Sequence, residues 1–187
     1  MNIRKREEYK LITEYYGDRT ARRSGVPLMN HIREGLELLN MFGASDTAKQ
    51  AFCLHPLLQG DMELGTNVQN IALNSQVNPN ALTQALLYRE AANRYLCSPM
   101  TDPWGPATAT RAVRPMTLSP HVYFMLCADK LQNQKDFDIY HKDTHPRSKY
   151  LAKYFKNWLT ILGVVPEEQL AYHQHLIMSE HRINGDD

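Results

Sequence analysis

Apolar residues return at every third or fourth position along almost the whole chain, and alternating stretches that would form strands are nearly absent. This pattern predicts an all-α fold. Helices are expected at about residues 2–16, 28–42, 46–59, 67–75, 80–97, 119–141, 147–163 and 167–182. With 187 residues, 43% of them hydrophobic, the chain has material for one core, so a single compact domain of about eight helices over 1–187 is expected.

The boundaries have chemical causes. Gly17-Asp18 closes the first helix, Pro27 lies near the start of the second and Gly43 ends it. Ser45 is placed as an N-cap with Asp46 in the following turn, where the helix dipole favours negative charge. Asn78-Pro79, Ser119-Pro120, His145-Pro146 and Val165-Pro166 each start a later helix, because proline is tolerated in a first turn. The longest irregular stretch, "CSPMTDPWGPATATRAVRPMTLSP", carries five prolines and a tryptophan. Length and composition make 98–118 a candidate lid or flap. No repeat or heptad seam argues for a solenoid or a coiled coil.

Composition narrows the function classes. No run of about 18 apolar residues exists and the N-terminus "MNIRKREEYK" is charged, so neither a membrane span nor a secretory signal is expected. Cys53, Cys97 and Cys127 are odd in number, far apart and set among apolar neighbours. Free thiols in a cytoplasmic protein account for them better than disulfides or a zinc site. Twenty-one basic against 20 acidic residues give a net charge of +1, which argues against an extended nucleic-acid partner. Basic character is local: "RTARRSG" gathers Arg19, Arg22 and Arg23 next to a serine and a glycine.

Three apolar segments each hold one residue with chemistry to offer. His31 lies in "GVPLMNHIREG" and His55 in "AFCLHPLLQGD". Asp129 follows Phe124, Met125, Leu126, Cys127 and Ala128, so its carboxylate is drawn inward and needs a partner. Asn133 and Asp136 extend a polar stripe from Asp129 along the same helix face. Either histidine alone reads as a hydrogen-bonded core residue. Together with Asp129 and the arginine–serine–glycine loop they suggest a nucleotide phosphate pocket between helices.

In combination and order, "RRSGVPLMNH", "AFCLHPLLQGD" and "CADKLQN" resemble the HD-domain superfamily, in the branch of (p)ppGpp hydrolases of Rel/Spo proteins and their small stand-alone homologues. The resemblance spans about residues 20 to 162, and its specific parts are the loop and the "ADKLQN" motif. It implies an HD-like helical fold, with His31, His55 and Asp129 matching metal ligands. It also implies that Arg22 stacks on a guanine, with Arg23 and Ser24 following it, and that Asn133 contacts the nucleoside.

The middle segment departs from the family. The acidic ligand expected after His55 is Pro56, and the expected glutamate–aspartate pair falls on Gln59 and Gly60. An amide does not titrate in the useful range, so the general-base role has no evident holder. Asp61, by a shift of register, or Glu90 is the substitute to weigh.

Other polar groups have plainer readings. Arg89, Glu90 and Asn93 read as a surface ion pair with one satisfied amide, with a ligand role in the same cavity as the alternative. Lys142, His145 and Arg147 sit at a helix end, with phosphate contact as the alternative. Leu151, Tyr154, Phe155, Trp158, Leu159 and Leu162 make a core or partner stripe. His173, His175 and His181 are badly spaced for a metal.

Three readings follow. In the first, hydrolysis is largely lost and the protein binds or sequesters a phosphorylated, signalling-type nucleotide, with no cofactor expected. The second is an active divergent phosphohydrolase that uses Mn2+ at His31, His55 and Asp129, with Asp61 or Glu90 as the acid. In the third, a structural scaffold, these residues simply hydrogen-bond one another.

Overall fold

The computed structural model describes residues 2–22, 24–96, 111 and 118–185, with the side chains of 181–185 left aside. Over these residues the chain is all-α. It forms α1 (Glu7–Tyr16), α2 (Met29–Met41), α3 (Asp46–Leu54), α4 (Leu64–Leu73), α5 (Pro79–Asn93), α6 (Pro120–Tyr140), α7 (Ser148–Leu162) and α8 (Pro166–Gly185), with 3-10 turns at Ile3–Lys5 and His55–Leu58. No strand occurs among the described residues; Thr20 and Pro27 make an isolated bridge across the loop before α2. Among the described residues, no helix is long and apolar enough to cross a membrane.

Side-chain caps start three of the helices. Ser45 accepts the Ala48 N–H at 3.2 Å, Asn78 the Asn80 N–H at 3.0 Å and Ser119 the Val122 N–H at 3.2 Å. Gly163 closes α7 in the left-handed conformation, φ 75°, and its N–H reaches the Leu159 and Thr160 carbonyls.

Several boundaries differ from expectation: the first helix begins at Glu7, after a 3-10 turn, and not at 2, and the fifth ends at Asn93 and not at 97. The third helix, expected through residue 59, is α-helical only to Leu54, since Pro56 has no N–H to continue the ladder and the chain tightens into the 3-10 turn. The seventh, expected from about 147 with His145-Pro146 leading into it, starts at Ser148. The His145 ring accepts the Arg147 N–H at 2.9 Å and holds those residues in a turn instead. The expected lid at 98–118 lies outside the described residues apart from Arg111 and Leu118.

α6 is the axis of the fold, packing against α2, α3, α5, α7 and α8. Every residue from Met125 to Gln132 is buried. A helix enclosed on all sides cannot turn a polar face to water, so Asp129, Lys130 and Gln132 must find their partners inside. The core around it is built from Ile12, Ile32, Leu38, Phe52, Tyr88 and Trp158, all 2% exposed or less. α7 is the contrasting case, with one apolar stripe containing Tyr154, Phe155, Trp158 and Leu162 against the core.

Candidate functional site

A cavity of about 720 Å3 opens between α1, α2, the His55–Leu58 turn, α5, α6 and α7. His31 comes from α2, His55 from the end of α3 and Asp129 from the middle of α6. Their ligand-type atoms all lie within 4.8 Å of one another. His31 Nε2 stands 3.2 Å from His55 Nε2 and 3.6 Å from Asp129 Oδ1, and His55 Nε2 stands 3.9 Å from the same oxygen.

The tautomers follow from what surrounds the rings. His55 Nδ1 donates to the Phe52 carbonyl at 2.6 Å, an acceptor left over at the end of α3. His31 Nδ1 lies 2.6 Å from Gln132 Oε1. Gln132 is oriented by its own amide nitrogen, which donates to Glu34 at 3.0 Å and to Asp136 at 2.8 Å. Its oxygen therefore faces His31 and accepts. With both Nδ1 hydrogens committed, each ring in its neutral form turns a bare Nε2 lone pair toward the other and toward Asp129.

Burial keeps His55 neutral. Its pKa is lowered to about 3, by loss of water first and by His31 second. Burial works against the Asp129 charge as well, but Lys130, His31 and His55 outweigh it and hold the carboxyl well below the ordinary range. Lys130 Nζ pairs with Asp129 Oδ2 at 2.7 Å and lies 5.2 Å from the Trp158 ring centre and 5.6 Å from that of Tyr154. Asn133 donates to Asp129 Oδ1 at 2.8 Å. A second support stands behind Gln132: Lys135 bonds Glu34 at 2.6 and 2.7 Å and Asp136 at 3.0 Å.

The donor set suits a divalent cation. Two imidazole nitrogens and one carboxylate oxygen converge with lone pairs inward, and partners behind them fix both ring orientations. The chemistry of the residues present therefore fits the metal that the HD resemblance implies.

The other expected residues separate into two groups. Ser24, Asn133 and Asp136 line the cavity, as do Pro56 and Gln59 at the positions where acids were missing. His145 also lines it. Arg22 is exposed and does not line it, while Arg23 lies outside the described residues. Asp61 is exposed and pairs with Arg89, and Glu90 pairs with Arg94 at 3.1 Å; neither acid reaches the cavity. Lys142 pairs with Asp138 at 3.7 Å, and neither it nor Arg147 lines the cavity. His173 bonds the Leu131 carbonyl and His175 bonds Glu37, both at 3.0 Å, which fastens α8 to α6 and α2.

Sequence reasoning missed Gln132, Lys130, Tyr15, Tyr16 and His141, all on the cavity wall. Lys130 and Gln132 stand inside "ADKLQN", so the motif held the signal. Tyr15 and Tyr16 end α1 and carried none. Arg19 takes the place expected of Arg22 at the cavity: its guanidinium lies 4.8 Å from the Tyr15 ring centre and donates to the Tyr16 carbonyl at 3.1 Å.

No protein-family model, no curated protein and no solved structure matches the chain.

Proposed function

We propose that the protein binds a phosphorylated nucleotide in this cavity and cleaves it slowly or not at all. The observation that carries the reading is the triangle of His31, His55 and Asp129 at the cavity wall; Pro56 and Gln59, also on that wall, stand where the HD resemblance expects acids. Among the described residues, the acids lining the cavity are Asp129 and Asp136. Asp129 is spent on Lys130 and Asn133, and Asp136 on Gln132 and Lys135. A general base must reach the water it deprotonates, and among the described lining residues no unpaired carboxylate stands ready.

Binding has better support. Arg19, His141 and His145 give the cavity cationic and N–H character for phosphate oxygens. Tyr15 and Tyr16 add aromatic wall beside Arg19, whose guanidinium lies 4.8 Å from the Tyr15 ring centre. A divalent ion such as Mn2+, when bound, would be held by His31, His55 and Asp129 and would supply Lewis-acid polarisation of a phosphate oxygen. Gln132 and the Phe52 carbonyl keep the two rings turned for that role whether or not a bond is broken. A guanosine polyphosphate is the ligand that the family resemblance suggests, and another signalling nucleotide is equally compatible.

A thermal-shift screen of guanine, adenine and cyclic nucleotides, with and without Mn2+, tests the proposal. Occupancy raises the melting temperature by ligand linkage, by an amount that grows with ligand concentration, and chromatography shows the nucleotide intact. A flat screen sinks binding and leaves the scaffold. The convergence of all three metal-type residues favours one competing reading, an active hydrolase; product that forms with Mn2+ and vanishes in Asp129→Asn would establish it instead.

A further inference from the structure

A second cavity, of about 330 Å3, shares no lining residue with the first and lies where the end of α2, α6, the α7–α8 turn and α8 meet. Four of its walls are aromatic: Phe42, Tyr123, Phe124 and Tyr172. Phe42 and Tyr172 meet edge to face, 5.2 Å between centres and 84° between planes. Tyr123 and Phe124 meet at 5.6 Å and 63°, while Phe42 and Phe124 are closer to parallel, 23° at 6.2 Å. The Tyr123 hydroxyl is fixed by donating to the Leu162 carbonyl at 2.9 Å. The four rings thus pack on one another while lining one shared space.

The charge around this space is of one sign. Glu168 is the carboxylate on its wall, and no lysine, arginine or histidine is among the described lining residues. Burial pushes the Cys127 thiol up to about 12, and the Tyr123 hydroxyl up to about 12 with Cys127 adding to the effect, so both stay neutral. Tyr172 is raised too, by burial first and by Glu168 second. The C-terminal end of α7, at Gly163 and Val164, adds the negative pole of a helix. The N-terminus of α8 opposes it, but Glu167 and Glu168 occupy that first turn. Glu168 is held at the site by accepting the Val165 N–H at 3.3 Å.

An electron-rich aromatic corner with a carboxylate suits a cation that gives up water cheaply. A methylated ammonium spreads its charge over methyl groups, whereas a bare ammonium or a sodium ion keeps its water strongly; cation–π attraction then adds to apolar contact. We propose that this cavity binds a methylated ammonium group, with Phe42, Tyr123, Phe124 and Tyr172 as walls and Glu168 as counter-charge. The site is independent of the nucleotide reading, and either stands if the other fails. A free metabolite of the choline type and a trimethylated lysine side chain both carry this head group.

Isothermal titration of the full chain with choline and with 3,3-dimethylbutan-1-ol, its neutral isostere with carbon in place of nitrogen, tests the charge requirement. Choline is expected to bind at least about tenfold more tightly than the isostere. Tyr172→Leu, which keeps an apolar wall without the π face, and Glu168→Gln, which keeps the shape without the charge, should each weaken choline binding. Peptides with trimethyllysine or plain lysine separate the sources: a trimethyllysine peptide that binds more tightly than choline assigns a protein tail, and the reverse order assigns a free metabolite. Equal binding of choline and its isostere, or no binding of choline or of the trimethyllysine peptide to folded protein, overturns the proposal. The comparison on the unaltered chain decides this even where a variant fails to fold.

Discussion

His31 and His55 point their Nε2 atoms at each other across 3.2 Å while both Nδ1 hydrogens are given away, one to Gln132 and the other to the Phe52 carbonyl. Two facing lone pairs beside a carboxylate gain nothing from one another and much from a cation between them. The tautomer assignment is therefore the chemical basis of the site, and Gln132 is the residue on which half of it depends.

Replacing Gln132 by leucine leaves the His31 Nδ1–H without its acceptor and the ring free to turn. Partners behind ligating histidines typically carry about 10–100-fold in metal affinity, so Mn2+ binding followed by electron paramagnetic resonance should weaken by that order in Gln132→Leu. Unchanged affinity would mean that packing alone holds the ring.

Acid should destabilise the metal-free protein through His55. Its pKa is about 3 in the fold against an ordinary 6.5, so between those values the unfolded chain binds the extra proton. The contribution of His55 to stability is complete above pH 6.5, declines as pH falls and is gone below about 3, with a slope of up to about 1.4 kcal/mol per pH unit. Asp129, whose folded pKa is also depressed, acts in the same direction at the acid end. Urea titrations at pH 7 and pH 4.5 measure the loss, and His55→Asn should flatten it.

Lys135 supplies the counter-charge for Glu34, which is 1% exposed. Lys135→Met strands that carboxylate, and the expected cost in denaturant unfolding is about 3–5 kcal/mol. Adding Glu34→Leu should recover most of it, because the deficit comes from an unpaired buried charge and not from lost packing.

Gly35 on α2 faces the Phe52 ring so closely that a methyl group there would collide with it. Phe52 in turn packs on both site histidines, with ring centres 5.5 Å from His31 and 4.6 Å from His55. Gly35→Ala is expected to cost about 1–3 kcal/mol by overpacking and to weaken ligand binding with it. A melting curve and one titration check both effects.

Arg19 lines the cavity and Arg22 does not. In the nucleotide screen, Arg19→Ala should therefore remove more of the thermal shift than Arg22→Ala. The opposite order would restore the stacking role that the sequence resemblance assigns to Arg22.

Eight helices could be read from periodicity, and four of their ends from Gly17, Ser45, Asn78 and Ser119, because capping is decided within a few residues. The inward pull on Asp129 was legible for the same local reason, an acid in the middle of an apolar run. Pro56 was visible as a missing ligand, yet its other effect, ending α3 so that His55 bonds the Phe52 carbonyl, needed the backbone. Gln132 was silent because its importance lies in partners far away in the chain, His31 and Glu34, and an amide in a helix looks the same with or without them. The placement of Asp61 and Glu90 was illegible for the converse reason: sequence distance from His55 does not say whether a side chain turns toward the cavity or toward Arg89 and Arg94.

The chain's own order of residues determined the helices, their caps and the enclosure of α6, since these depend on neighbours within one or two turns. Which three polar groups meet, which nitrogen of each ring carries hydrogen and which arginine faces the cavity were decided only when helices distant in the chain packed together. Side-chain direction and desolvation are properties of that packing, and no local stretch contains them.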